Sequence, residues 1–220
     1  MAPPDSPPML SARGVQKRFG RKIVLEGASL DVAAGEAVAL VGENGAGKTT
    51  LLQICAGMTP ADAGAIAVGG RIGYCPQEPG VFELLTAEEH LVLFGRGLGL
   101  SRERSLAEGR AILEEFDYPI AERAVTRDLS GGTRQKLNLA LSLLGDPRLL
   151  LMDEPYQGFD RGTYVNFWDH VDRWRGQGRA VVVVTHMLAE LDRVDRVVEL
   201  AVHHSRAIDH PAAAGPGTVR

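Results

Sequence analysis

Apolar and polar positions alternate along "MLSARGVQKRF" and again along "SLDVA". That period of two marks half-exposed strands at the edge of a mixed sheet. "EAVALV" is a continuous apolar run and predicts a buried strand, followed by a helix from Thr49 to Ala56; "RIGYCPQ" predicts another short strand. From Thr86 to about Gly145 the pattern turns helical, through "LTAEEHLVLFGRGLGL", "RERSLAEGRAILEEF" and "GGTRQKLNLALSLLG". "RLLLMDEP" is then an apolar strand ending in acids, "RGTYVNFWDHVDRWRGQG" an amphipathic helix, and "AVVVVTH" a strand of four valines. Short buried strands separated by helices predict an α/β chain with a mostly parallel sheet covered on both faces. The pattern adds an N-terminal antiparallel β edge and an inserted α-helical subdomain over about 86–145.

Composition bounds this picture without changing it. The 220 residues are 45% apolar and 24% charged, an ordinary globular balance, and they suit one large domain. A formal net charge of −4 with no long basic block argues against a nucleic-acid partner. Cys55 and Cys75 have neither metal nor disulfide spacing and read as small buried hydrophobes. No run approaches the roughly eighteen apolar residues of a membrane span. "MAPPDSPPML" lacks the basic and apolar regions of a secretory signal, so residues 1–8 are expected to be a disordered lead-in. A single domain is expected over 9–204 and a flexible tail over 205–220, where hydrophobic periodicity fades; the adjacent His203 and His204 at its edge are expected to be solvated.

The chemistry starts in "GENGAGKTT", Gly42 to Thr50, directly after the buried run "EAVALV". Three glycines in six residues would weaken any helix or strand, so the segment must need bare backbone. The spacing Gly-x-x-x-x-Gly-Lys-Thr between a strand and a helix is that of a phosphate loop. Successive N–H groups and the helix N-terminus favour phosphate oxygens. Gly42, Asn44, Gly45, Ala46, Gly47, Lys48, Thr49 and Thr50 are the expected cradle, with Lys48 reaching the β- and γ-phosphates and Thr49 ligating Mg²⁺.

"LLLMDEP" brings Asp153 and Glu154 to the carboxyl end of a buried strand, where α/β sheets place ligands. Adjacent strand side chains point opposite ways, so both cannot hold one ion unless the backbone turns. Distinct roles are expected: Asp153 on Mg²⁺ and Glu154 polarising the attacking water. "LSGGTRQKL" places Ser130 as an N-cap, with Gly131 and Gly132 leaving the first helical N–H groups uncovered. That is a second anion site in one chain, which one nucleotide cannot fill alone.

Together these stretches resemble the nucleotide-binding subunit of ATP-binding cassette (ABC) transporters, over roughly residues 9 to 200. The resemblance implies a P-loop NTPase of the ABC ATPase type that hydrolyses ATP with Mg²⁺. It implies that Phe19 in "KRFG" stacks on adenine, that Gln77 in "YCPQ" senses Mg²⁺ and the γ-phosphate, and that His186 after "VVVVT" contacts the γ-phosphate. Lys48, Gln77, Glu154 and His186 are thus the expected catalytic residues, and Thr49, Gln77 and Asp153 the metal-binding ones. Asp160 in "GFDR" matches an aspartate that contacts the opposite subunit. The resemblance also implies a head-to-tail dimer, homo- or heteromeric, in which Ser130, Gly131 and Gly132 of one subunit cover the ATP on Lys48 of the other. Closure would drive a membrane-spanning permease subunit, placing the chain at the cytoplasmic face of the cell membrane. Thr133 departs from the usual glutamine and Phe159 from the usual leucine, the link at Gly70–Arg71 is short, and no regulatory C-terminal domain is expected. "LTAEEHLVLFGRGLGL" looks like the matching stretch of bacterial export ATPases. The alternative is a soluble ABC ATPase acting on a macromolecular assembly.

Overall fold

A computed structural model describes residues 8–119, 124–186, 188–201 and 208–211. Three strands are buried along their whole length or nearly so: β3 (Ala37–Val41), β6 (Leu149–Asp153) and β7 (Ala180–Val184). With β5 (Ile72–Cys75), β8 (Arg196–Glu199) and β9 (Ile208–Pro211) they form one sheet in the order β5-β6-β7-β3-β8-β9. Every pairing is parallel except that of β9 with β8. The strand period of two sorts the side chains between two cores. Val38, Leu40, Leu149, Leu151, Val182 and Val184 face one, and Ala37, Ala39, Leu150, Met152, Val181 and Val183 face the other.

The first core is covered by α1 (Lys48–Cys55), through Leu51 and Leu52, and by a small antiparallel sheet. That sheet has the order β2-β1-β4, with β1 (Leu10–Phe19), β2 (Lys22–Val32) and β4 (Ala63–Val68). The second core is covered by α5 (Arg161–Gly176), through Phe167, Trp168, Val171 and Trp174. The helical block comprises α2 (Ala87–Gly97), α3 (Arg102–Glu115) and α4 (Gly131–Leu143) around Leu91, Leu113, Leu137 and Leu141. Leu139 and Leu143 on the opposite side of α4 enter the second core, so α4 joins the block to the sheet. Its helices start where the caps demand: Thr86 and Glu89 close a capping box, and Ser101 caps α3.

The mostly parallel sheet, the N-terminal antiparallel strands and the helical insertion are as the sequence predicts, but those strands form a sheet of their own over the first core and not the edge of a mixed sheet. The loose tail expected over 205–220 needs correction at 208–211, where Val197 pairs with His210 and Glu199 with Ile208. An edge strand pairs through backbone groups alone, which hydrophobic periodicity does not report. His203 and His204, with the lead-in up to residue 7, lie outside the described residues.

His90 sits fully buried in α2, its Nδ1 2.8 Å from the Thr86 carbonyl oxygen while its Nε2 accepts the Phe82 N–H at 2.7 Å. One proton on Nδ1 satisfies both bonds; a second on Nε2 breaks one. Burial accordingly lowers its pKa below the ordinary 6.5. A lowered histidine pKa stabilises the fold above the unfolded value, and that stability is lost as pH falls through 6.5 towards the folded value. Calorimetry should show the native Tm falling between about pH 7.5 and about pH 5.5, and falling less steeply in His90→Gln. Equal slopes would assign the acid sensitivity to other groups.

Candidate functional site

The loop after β3 opens α1 without a side-chain cap, because the N-cap is Gly47 at φ 100°. A Cβ there would lie 2.6 Å from Leu25 Cδ2 and 2.8 Å from the Val24 carbonyl oxygen, so only glycine fits. The uncapped N–H groups of α1 therefore remain available to a bound anion. Lys48 folds back over the loop, its Nζ donating to the carbonyl oxygens of Gly42 (2.8 Å) and Glu43 (3.0 Å). Burial lowers its pKa, while the charges of Glu154 and Asp153 work in the opposite direction. Ala46 is packed into the first core beneath the loop, whereas Asn44, Gly45, Gly47, Lys48, Thr49 and Thr50 line a cavity of about 510 Å³.

Asp153 is the last residue of β6 and shares the face of Leu149 and Leu151, which places it towards α1. It is 1% exposed; the Thr49 hydroxyl hydrogen-bonds to it, yet its Oδ2 has no hydrogen-bond partner. Burial raises its pKa despite that bond and the nearby Lys48 charge. A buried carboxylate oxygen without a partner is costly unless a cation joins it. Asp153 and the Thr49 hydroxyl supply the hard oxygen donors that suit Mg²⁺.

Strict alternation would send Glu154 to the far side of the sheet. Instead its φ is 46°, and the chain turns there, held by the Glu154 N–H to the Val184 carbonyl oxygen at 3.2 Å. The turn brings its side chain into the same cavity as Asp153. There Glu154 Oε1 is 2.6 Å from His186 Nε2, and Oε2 accepts from Gln77 Nε2 at 3.2 Å. Phe19, half exposed at the end of β1, forms part of the same wall.

The second glycine pair lies elsewhere. Ser130 caps α4, its Oγ accepting the Thr133 N–H at 3.2 Å and lying 2.8 Å from Thr133 Oγ1. A Cβ on Gly132 would stand 2.6 Å from the Gly158 carbonyl oxygen, so the close approach of the first turn of α4 to the chain at Gly158 requires glycine. Ser130, Gly131 and Gly132 do not line the Lys48 cavity; Gly131 borders a separate one of about 410 Å³ with Arg134 and Gly158. Asp160 caps α5, accepting from the Thr163 N–H at 2.9 Å and the Thr163 hydroxyl at 3.0 Å. Neither Ser130, Gly131 and Gly132 nor Asp160 lines the phosphate cavity within one chain.

Several supporting residues escape a reading of motifs. Gln135 and Asn138, i and i+3 on α4, donate to the carbonyl oxygens of Pro155 (2.9 Å) and Pro76 (2.8 Å). One helix thus grips the chain just after Glu154 and just before Gln77. The Tyr156 hydroxyl bonds the Thr185 hydroxyl and fastens the turn to the end of β7. The available signal was two amides on an otherwise apolar face of "RQKLNLALSLL".

Comparison with known proteins shows what the chain and its fold are similar to. The ABC transporter family profile matches residues 25–157. The Nod factor export ATP-binding protein I of Burkholderia lata is 36% identical over 194 residues, covering 83% of this chain; the chain spans 64% of that protein's length. A solved ATP-binding subunit of an ABC transporter superposes with a TM-score of 0.81 at 29% identity, over 92% of this chain and 90% of its own. A dimeric bacterial ABC transporter cassette superposes with a TM-score of 0.84 at 23% identity, over 94% and 100%, a likeness of fold.

Proposed function

The chain belongs to the ABC transporter family, and on that premise we propose that it is the ATP-hydrolysing motor of a bacterial exporter. The observation that carries this is the single cavity in which Lys48, Thr49, Asp153, Glu154, Gln77 and His186 meet. Lys48 and the free N–H groups of α1 bind and orient the triphosphate. Thr49 and Asp153 hold Mg²⁺, which when bound draws charge off the phosphate oxygens. Glu154, lodged between Gln77 and His186, takes the proton of the attacking water, and His186 and Gln77 fix the orientation of its carboxylate. Phe19 offers a ring to the adenine.

The same premise supports a head-to-tail pair of cassettes. Ser130, Gly131 and Gly132 form an anion site outside the chain's own phosphate cavity, so a partner's nucleotide is the fitting ligand. A dimer is reported for one cassette of similar fold. The permease, the cytoplasmic membrane face and export belong to this reading, export being the stated role of the Burkholderia relative. Among the described residues no helix is long and apolar enough to cross a membrane.

Mild-detergent capture of Glu154→Gln with ATP from native cells, followed by mass spectrometry, tests the transporter role. A multispanning membrane protein is expected. Ribosomal or DNA-associated proteins without one would establish the soluble alternative instead.

Thr133 calls for a smaller expectation. Its backbone N–H, which every residue but proline supplies, makes the capping bond, and its Oγ1 adds a contact to Ser130 Oγ. Thr133→Gln should change steady-state turnover by less than about tenfold, or about 1.4 kcal/mol. A larger gain would mark the native site as degenerate.

A further inference from the structure

The strand β1 carries a lysine at a position that its own periodicity gives to the interior. Val15, Lys17 and Phe19 follow at period two, and Lys17 is only 7% exposed. The Lys17 ammonium donates to the Pro60 carbonyl oxygen at 2.7 Å and to Asp62 Oδ1 at 3.0 Å. Asp62 completes the anchor by accepting the Arg18 N–H on Oδ2 at 2.7 Å. These bonds, that from Lys17 first, hold the exposed Asp62 carboxyl below its ordinary range. A buried ammonium with two firm acceptors is a fixed point rather than a mobile surface charge.

That fixed point lies beside the ring expected to meet the base. Lys17 Nζ stands 5.4 Å from the centroid of Phe19, within the range of a cation–π contact. Phe19 lines the nucleotide cavity and Lys17 does not, so the cation supports the ring from outside the cavity. Without support, a ring 52% exposed at a strand end would lose rotamer freedom on stacking, which opposes binding. A cation on one face also draws electron density from the ring and favours an electron-rich base on the other.

We propose that Lys17, anchored by Pro60 and Asp62, is a positioning residue for the nucleotide base, holding Phe19 so that its free face receives the adenine. This rests on the reading of Phe19 as the base platform. A purely structural tie between β1 and the segment 60–62 would instead weaken all ligands of the loop alike.

Calorimetric titration with Mg-ATP and with tripolyphosphate, which has no base, separates these cases. Lys17→Met should weaken ATP by roughly 3- to 30-fold and leave tripolyphosphate unchanged. KM for ATP should rise with kcat unaltered, and Lys17→Arg should recover most of the affinity. In a Phe19→Ala background, Lys17→Met should add nothing. Should Lys17→Met fail to fold, Asp62→Asn alters an exposed carboxyl and should give a smaller loss, again for ATP alone. Equal loss for both ligands, or no loss while Phe19→Ala still weakens ATP selectively, would overturn the positioning role and leave the base platform standing. If Phe19→Ala does not separate the two ligands, the platform fails and the role of Lys17 with it.

Discussion

Glu154→Gln keeps nucleotide affinity and lowers turnover by about 10²–10⁴-fold, the range for loss of an acid–base group. Glutamine has the same shape and, like glutamate, tolerates the turn at φ 46° without help from glycine. Its amide oxygen can still accept from Gln77, so the wall of the cavity stays in place. What disappears is the carboxylate that stands 2.6 Å from His186 Nε2 and can accept a proton from water. None of the loop groups that hold phosphate is touched, which is why binding is spared. Phosphate release in single turnover, beside a nucleotide titration, measures both quantities on one preparation. Hydrolysis at the native rate would move the base to another residue.

The parts of this molecule legible in its sequence are those where local chemistry and burial agree. β3, β6 and β7 are apolar on both faces, and a run such as "AVVVV" has no comfortable alternative to a buried strand. The helix starts at Thr86, Ser130 and Asp160 are equally plain, since each cap accepts the N–H three residues on. β4 was not legible: "AGAIAV" is mostly exposed, rich in alanine and glycine, and becomes a strand only because β1 offers it a backbone edge. The first half of β2 and all of β8 and β9 were missed for similar reasons, their pairing being set by neighbours far along the chain.

The site divides along the same line. Residue types and spacing named Lys48, Thr49, Asp153 and Glu154, the family resemblance added Gln77 and His186, and the fold places all six around one cavity. Alternation alone would have separated Asp153 from Glu154. Their convergence depends on one backbone angle at Glu154 and on its N–H bond to Val184, a residue thirty positions away. Sequence reasoning could state that a turn would be needed there but not that it exists. The grip of Gln135 and Asn138 on Pro155 and Pro76 is likewise a tertiary fact, written in the sequence only as two amides among leucines. It also gives α4 a mechanical meaning. The helix whose N-terminus bears Ser130 and Gly131 holds the backbone just before Gln77 and just after Glu154.

Lys48→Ala abolishes tight nucleotide binding, with affinity lower by at least about 10²-fold, since charge-assisted bonds to phosphate each contribute about 1.5–3 kcal/mol. The loss has two sources. The ammonium leaves, and the buried Asp153 and half-buried Glu154 carboxylates, whose charges it now balances, are left facing an incoming anion. Lys48→Met keeps more of the packing and should lose nearly as much affinity, which separates charge from volume. Titration with a fluorescent ATP analogue measures both variants, and native affinity in either would sink the cradle reading. The native protein adds a check through pH. Burial holds the Lys48 pKa below the ordinary 10.5, so its charge is lost earlier on the alkaline side than that of an exposed lysine. Affinity should therefore fall as pH rises towards that lowered value, and the alanine variant should show no such fall, because the group that titrates is gone.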